Sequence, residues 1–289
     1  MLSRVVAVAP SNGPIYGGQN TGDAPGAPFA LNAKEVVLTF DQGPHSAYTK
    51  YILDILDHHC VKATFFFTGS AALANPGAVR DVSQRGHTLA AGPWSASATF
   101  DNIAFEAAKD QIEKGLTAVA KASNAPVAPF FRVAATGIAP DVLSYFRERG
   151  VSLIYFDVAA GDGDSGLTAT KLANRTLARI EAAGKGVIQF HDTKKVTVDA
   201  LDSILVNLKL GGYKVVHIVP AASFTPRDEY LAGLAKTAIL TPGPSRVSHT
   251  LVDSAKRRVR DSDADERRAR RLRRPGQQEQ NLRMAAPHG

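Results

Sequence analysis

A chain of 289 residues, 44% of them hydrophobic, is long and apolar enough to bury one substantial core. No apolar run approaches the about 18 residues that a membrane span requires, so no membrane-spanning helix is predicted. The formal net charge is +7, and eleven Lys or Arg against six Asp or Glu between residues 253 and 283 supply +5 of it. The rest of the chain is nearly neutral, which gives no reason to expect a nucleic-acid partner for the core.

The first 33 residues are rich in Gly, Pro, Asn and Ala and lack periodicity, so they are predicted to form an extended arm over the domain surface. The apolar stretch at residues 5–9 is shorter than the hydrophobic core of a usual signal peptide, and it therefore leaves export and localisation open. Cys60 is the single cysteine, so no intrachain disulfide is expected.

From residue 35 onward, segments with strand character alternate with amphipathic helical segments, which favours parallel βαβ units. Strands are predicted at residues 36–40, 63–69, 87–90, 130–132, 152–157, 186–190 and 213–219. Helices are predicted at residues 47–58, 71–85 with an interruption near Pro76, 104–123, 140–150, 167–184 and 198–210. This order predicts an α/β fold, a distorted (β/α) barrel of about seven strands. The alternative, an open doubly wound sheet, lacks its Gly-x-Gly-x-x-Gly fingerprint.

The barrel is predicted to occupy residues 34–220, followed by a C-terminal extension at 221–289. Helical character is weak up to Pro244, and the arginine-rich tail beyond it is expected to be exposed and disordered. An arginine cluster at residues 267–274 offers a surface for an anionic polymer or membrane lipid, with a merely solvated tail as the favoured alternative.

Four polar residues, Asp41, Arg132, Asp162 and His191, each lie at or just beyond the end of a predicted strand. The carboxyl ends of parallel strands gather on one face of a barrel, which is where active sites form. Buried charges need partners, so two carboxylates, an arginine and a histidine make a self-consistent cluster. An aspartate beside a histidine favours the imidazolium form, which can then donate a proton. Each residue alone also fits an ordinary ion pair that stabilises a loop.

The segment Leu38-Thr39-Phe40-Asp41-Gln42-Gly43-Pro44 closely resembles the Thr-Phe-Asp-Asp-Gly-Pro signature of the polysaccharide deacetylases, the NodB-homology family of carbohydrate esterases. The resemblance extends over residues 35–220, with further signatures in the family's order. It implies a metal-dependent hydrolase of carbon–nitrogen bonds that removes acetyl groups from N-acetylglucosamine polymers such as chitin oligomers or peptidoglycan.

The resemblance also implies roles for the four polar residues. Asp41 matches the family's catalytic base, and Arg132, in Pro129-Phe130-Phe131-Arg132, matches the arginine that tethers it. Asp162 matches the aspartate that tunes the catalytic acid. His191, in Phe190-His191-Asp192, matches the histidine that protonates the leaving amine.

The family's metal ligands are a second aspartate and two histidines, and here these positions fall on Gln42, Gly92 and Ala96. A catalytic zinc needs about three donor side chains, so no metal cofactor is expected. Without the metal, a bound water keeps a pKa near that of bulk water, and amide hydrolysis should be very weak or absent. His58, His59 and His87 are predicted to be ordinary surface or second-layer histidines.

Two further departures remove groove residues of the family: Val133-Ala134-Ala135 replaces a Pro-Pro-aromatic run, and Gly163 replaces a Trp. The particular polymer is therefore not predicted. Three functions remain open: a weak or inactive relative of a deacetylase, a non-catalytic carbohydrate-binding pseudoenzyme, and a decaying gene product without a selected activity.

Overall fold

The computed structural model describes residues 2–8, 29–133 and 138–237 of the chain, all within the unit Met1–Pro242. The predicted basic cluster at 267–274 and Ala134-Ala135 lie outside the described residues. Nine strands are described: β1 (Leu2–Val8), β2 (Glu35–Asp41), β3 (Thr64–Phe67), β4 (Thr88–Ala91), β5 (Phe130–Phe131), β6 (Ser152–Leu153), β7 (Val158–Ala159), β8 (Gly186–His191) and β9 (Lys214–Pro220). Eight helices are described: α1 (Tyr48–His58), α2 (Gly69–Ala74), α3 (Pro76–Gln84), α4 (Phe105–Ser123), α5 (Pro140–Glu148), α6 (Ala169–Ala183), α7 (Lys195–Leu210) and α8 (Asp228–Thr237).

The sheet is parallel and is built around β2. One edge of β2 pairs with β8 from Val36 to Asp41, while the other edge pairs with β9 at its start and with β3 at its end. From β3 the sheet continues through β4 and β5 to β6, and from β8 it continues to β7. This is the predicted α/β architecture, a distorted (β/α) barrel. Among the described strands no pairing joins β6 to β7, so the circle is open between them.

The strand count differs from the prediction of about seven because β1 and β7 were not foreseen. Leu2–Val8, part of the predicted arm, is a strand paired parallel to β9 rather than a segment lying over the surface, and residues 9–28 are outside the described part. The predicted strand at 152–157 is interrupted after Leu153. The physical reason is that the Ile154 and Tyr155 carbonyls accept hydrogen bonds from the Arg132 side chain, at 2.8 and 3.1 Å.

Two apolar layers follow from the alternation of side chains along the strands. On β2, Val36, Leu38 and Phe40 pack against the surrounding helices, while Val37 joins the cluster inside the barrel. The inner cluster contains Val8, Phe29, Leu31, Val37, Phe66, Ala90, Ala128, Phe130, Ile154, Val187, Val216 and Ile218. Because side chains two residues apart share a face, Thr39 and Asp41 continue the inward face of Val37. Asp41 therefore lies at the carboxyl end of the barrel interior.

The helices match the predicted segments and cover the outside of the sheet. The interruption expected near Pro76 is real: Pro76 is the first residue of α3, a position where its missing N–H costs nothing. Leu53 and Leu56 of α1 are fully buried against the strands. None of the described helices combines the length and apolarity needed to span a membrane.

The segment after β9 packs onto α4 and α5, although its sequence pattern is weak. Phe224 and Leu234 are buried. Glu113 of α4 has no exposed side-chain surface; it accepts a hydrogen bond from the Tyr145 hydroxyl at 2.8 Å and forms an ion pair with Arg149. The Arg149 guanidinium also donates to the Thr225 carbonyl at 3.1 Å. A buried carboxylate therefore links α4, α5 and the segment that leads to α8.

Replacing Glu113 with alanine is expected to lower the free energy of unfolding by about 3 kcal/mol, because it leaves the half-buried Arg149 and the Tyr145 hydroxyl without their acceptor. Urea unfolding followed by circular dichroism measures the change. Glu106→Ala on the same helix is the matched control: Glu106 is exposed and 3.6 Å from Lys109, so its loss should cost under about 0.5 kcal/mol. Equal effects of the two substitutions would contradict this account of the buried carboxylate.

Candidate active site

Asp41 and Arg132 form a buried ion pair at the carboxyl end of the barrel. The Arg132 Nη1 atom lies 2.8 Å from Asp41 Oδ1, and the two side chains are 3% and 8% exposed. The same Nη1 donates to the Thr39 hydroxyl at 2.6 Å, and the guanidinium stacks over the Phe66 ring at 4.1 Å. Because Nε and Nη2 also donate to the Ile154 and Tyr155 carbonyls, Arg132 is held in place and holds Asp41 in turn.

The second oxygen of Asp41 also has a partner inside the protein. Gln189 Nε2 donates to Asp41 Oδ2 at 2.6 Å. Gln189 belongs to β8 and lies two residues before His191, on the same face of the strand. Both oxygens of Asp41 are thus oriented by other elements of the barrel, Oδ1 by Arg132, which follows β5, and Oδ2 by Gln189 of β8.

His191 and Asp162 form a second polar pair on the same face. His191 Nδ1 lies 2.7 Å from Asp162 Oδ1, and Asp162 Oδ2 accepts the His191 backbone N–H at 2.7 Å and the Thr197 hydroxyl at 2.5 Å. Because Nδ1 faces the carboxylate, Nε2 is the nitrogen left to exchange a proton with a bound molecule. The Asp162 carboxylate sets both the position and the orientation of the ring.

The electrostatics favour a charged His191 ring. Burial alone would lower the pKa of His191, but the hydrogen bond and charge of Asp162, with the charge of Asp41, hold that pKa above its usual value. Burial would raise the pKa of Asp162, but the contacts with His191 and Thr197 hold it below its usual value. An imidazolium beside a carboxylate is the protonation state that suits a general acid.

The two pairs are adjacent because their strands are in register. Asp41 on β2 and His191 on β8 are paired residues of the parallel ladder, which places their backbones about 4.8 Å apart. Arg132 follows the last residue of β5, and Asp162 comes shortly after β7. The predicted cluster of four residues is therefore assembled in the structure at one end of the barrel.

The three positions that the resemblance assigns to metal ligands lie at the ends of β2 and β4 and in the loop after β4. Gln42 directly follows Asp41 and has a φ of 68°, the left-handed region. Gly92 follows the last residue of β4, and a Cβ built on it would lie 3.6 Å from the Arg132 carbonyl, an ordinary contact. Ala96 is exposed in the loop after β4. The side chains at these positions provide an amide, no atom and a methyl group.

One grouping of possible metal ligands does occur among the described residues, at a different place. His58, His59 and Asp202 each offer a ligand atom within 4.8 Å of the others. The expectation that no metal is involved is therefore not confirmed, and the prediction that His58 and His59 are ordinary histidines has to be weighed against this grouping. His87 lies elsewhere and accepts the Ala63 N–H at 3.1 Å.

Asp192, the residue after His191, is a further buried carboxyl that the sequence reasoning did not single out. Its Oδ2 accepts the Thr49 hydroxyl at 2.5 Å, while its Oδ1 has no hydrogen-bond partner among the described residues. A Cβ on Gly43 would lie 2.0 Å from Asp192 Oδ1, so any larger residue there would displace the Asp192 side chain. Burial raises the pKa of Asp192 to about 7. The charge of Asp41 adds to this rise, whereas the hydrogen bond from Thr49 opposes it.

The sequence pattern also did not lead to Gln189, Thr39 or Thr197 as residues of this site. A usable signal existed for the first two, because each lies two residues before a predicted site residue on the same strand and so shares its face. No local signal identifies Thr197, which reaches Asp162 from the first turn of α7.

Comparison with known proteins agrees with this fold. The family profile described as polysaccharide deacetylase matches residues 30–154. A peptidoglycan-N-acetylglucosamine deacetylase of Bacillus cereus is 31% identical over 192 residues, covering 64% of this chain and 67% of that protein. The peptidoglycan-N-acetylglucosamine deacetylase PgdA of Listeria monocytogenes is 29% identical over 200 residues, which are 67% of this chain but only 40% of that protein. The chain belongs to the polysaccharide deacetylase family.

Solved structures show the same architecture. The peptidoglycan deacetylase of Bdellovibrio bacteriovorus superimposes with a TM-score of 0.66 and 28% identity, covering 76% of this chain and 59% of that one. A CE4 family pseudoenzyme from Bacillus anthracis superimposes with a TM-score of 0.60 and 23% identity, covering 72% of this chain and 68% of that one. At that identity the second likeness concerns the fold alone.

The raised pKa of Asp192 makes stability depend on pH. The folded protein holds the proton up to about pH 7, whereas an unfolded aspartate releases it near pH 3.9, so stability should fall as the pH rises through this window. Asp192→Asn keeps an acceptor for Thr49 and removes the titration. Relative to the unmodified protein, the variant should gain about 2–3 kcal/mol between pH 5 and pH 8 in urea unfolding. Asp54→Asn, at an exposed ion pair of α1, is the control; parallel pH curves for all three proteins would refute the assignment.

Proposed function

We propose that this chain binds an N-acetylglucosamine-containing polysaccharide at the carboxyl ends of its strands and has little or no deacetylase activity. The named relatives are deacetylases of peptidoglycan N-acetylglucosamine, which supports this class of glycan as the ligand. The binding unit is the barrel predicted at residues 34–220, with the segment up to residue 237 packed on it.

The proposal rests on one observation. The four-residue frame of Asp41, Arg132, Asp162 and His191 is complete, but the three positions assigned to metal ligands beside it supply no imidazole, carboxylate or thiolate. Both oxygens of Asp41 are engaged by Arg132 and Gln189, and the Asp162 carboxylate is engaged by His191 and Thr197. Hydroxyl and acetamido groups of a sugar can bond to the remaining lone pairs of Asp41 and to the Nε2 of His191.

The residues assigned to the family's metal do not fit it. A zinc ion that activates water is held by about three imidazole, carboxylate or thiolate ligands. Gln42, Gly92 and Ala96 supply none of these groups. Without such a metal, Asp41 would have to deprotonate a water whose pKa is near that of bulk water, about 15.7, so the frame does not by itself supply a nucleophile.

A weak residual deacetylase is the second candidate function. It is favoured by the raised pKa of His191, which keeps the ring in its acid form at higher pH than an ordinary histidine. The two functions share the same ligand and differ in whether acetate is released.

Glycan binding should be measurable with the unmodified chain. Titration calorimetry with N-acetylglucosamine oligomers is expected to give saturable binding, and no binding would leave the proposed function without support. His191→Asn keeps a donor facing Asp162 and removes the Nε2 position, which should weaken binding about tenfold, the equivalent of one charge-assisted hydrogen bond. His58→Gln, at the end of α1, is the control and should bind normally. Acetate release at a rate well above the no-protein background would favour the residual deacetylase.

The missing metal site should be restorable by Gln42→Asp, Gly92→His and Ala96→His together. The structure accommodates two of these changes: aspartate tolerates the left-handed φ of residue 42 better than glutamine does, and a Cβ at residue 92 meets nothing closer than 3.6 Å. Added to a His58→Gln background, the three changes should create one zinc site and raise acetate release roughly 100-fold or more, because Lewis-acid polarisation lowers the barrier by several kcal/mol. A triple variant that folds but binds no zinc would show that these are not the ligand positions.

A further inference from the structure

His58, His59 and Asp202 lie together between two helices on the outside of the barrel. His58 is the last residue of α1, His59 is its C-cap, and Asp202 is in the middle of α7. His59 Nε2 lies 2.8 Å from Asp202 Oδ1, and the rings of His58 and His59 meet edge to face with centroids 5.1 Å apart. His59 and Asp202 are 143 positions apart in the sequence, so only the fold brings them together.

We propose that these three residues bind a divalent transition-metal ion of the zinc class, which joins α1 to α7. Two imidazoles and one carboxylate are a donor set that suits zinc, and three protein ligands leave a fourth position for water. The two neutral imidazoles and one carboxylate carry a total charge of −1, which partly balances a dication.

The spacing of the ligand atoms suits one ion. Two ligands at about 2.1 Å from a tetrahedral zinc stand roughly 3.4 Å apart. The His59 and Asp202 atoms, 2.8 Å apart, need to separate by a few tenths of an ångström, and the widest pair, within 4.8 Å, needs to close by about 1.4 Å. The exposed His58 can make the larger movement by a change of rotamer, while the half-buried His59 and Asp202 need only the small separation.

The site is far from the Asp41 face, so its role is structural rather than hydrolytic. Helix α1 starts after the turn that follows Asp41 and runs back along the barrel, so its C-terminal end lies about 16 Å along the helix axis from that face. Helices α1 and α7 follow β2 and β8, the two strands that carry Asp41 and His191. A metal that joins α1 to α7 would hold together the two outer helices that follow these strands, and would so support the pairing of β2 with β8.

The test uses the full chain without an affinity tag, treated with a chelator and returned to metal-free buffer. Zinc titration should give one equivalent bound. The melting temperature should rise by about 5 °C or more when free zinc is about 100 times Kd, because an ion that binds only the folded state stabilises it by mass action. Cobalt(II) should give ligand-field absorption without a thiolate charge-transfer band, since the ligands are nitrogen and oxygen.

Variants separate this site from its neighbours. Asp202→Asn keeps the hydrogen-bond acceptor for His59 and removes the charge, and His58→Gln removes one imidazole. Each variant should weaken zinc binding at least tenfold. Neither should lower the melting temperature of the metal-free protein by more than a few degrees. Cys60→Ser, next to the histidines, and Gln42→Gly, at the carboxyl-end face, should bind zinc like the unmodified chain.

The proposal is overturned if zinc does not bind at millimolar concentration, or if Asp202→Asn and His58→Gln leave its affinity unchanged. Loss of binding in Cys60→Ser would move the site to the thiol, and loss in Gln42→Gly would move it to the carboxyl-end face; either result also overturns the proposal. None of these outcomes depends on glycan binding, so the proposed function stands or falls separately.

Discussion

The buried pairing of Arg132 with Asp41 is the interaction on which the carboxyl-end face depends. A guanidinium can be held inside a protein only if its donors are used, because desolvating the charge costs several kcal/mol. Here Nε bonds to the Ile154 carbonyl, Nη1 to Thr39 and Asp41, and Nη2 to the Tyr155 carbonyl. The two carbonyls bonded to Arg132 lie where β6 ends and β7 has yet to begin. The same contacts that fix Asp41 therefore accompany the opening of the barrel between these strands.

Charge balance explains why the third carboxyl on this face behaves differently. Asp41 with Arg132 and Asp162 with His191 form two pairs, each neutral in sum when the histidine is protonated. Asp192 adds a fifth ionisable group to a set that is already balanced, in a space closed off by Gly43. Burial disfavours the charged form of Asp192, and one hydrogen bond from Thr49, with no cation of its own among the described residues, offsets this only in part, so its pKa rises to about 7.

The sequence predicted those features that depend on local pattern and topology. Asp41 and His191 each follow a run of β-branched or aromatic residues that predicts a strand. Because parallel strands end on one face of the barrel, the strand assignment alone predicted that these two residues lie on the same face. Strand β7, with two residues, and β1, in a segment of weak pattern, gave too little periodicity. The burial of Asp192 and the grouping of His59 with Asp202 depend on how distant segments pack, which no local pattern encodes.

The four-residue frame of Asp41, Arg132, Asp162 and His191 and the three positions that the resemblance assigns to metal ligands differ in what the fold requires of them. Removing Arg132 would leave the buried Asp41 carboxylate without its cation, and removing Asp162 would strip His191 and Thr197 of their acceptor; breaking a buried pair in this way costs about 3–5 kcal/mol. Gln42 is half-buried at a turn, a Cβ on the buried Gly92 would make only ordinary contacts, and Ala96 is exposed, so the fold holds none of the three by a buried charge. The fold alone therefore favours keeping the four-residue frame and tolerates change at these three positions.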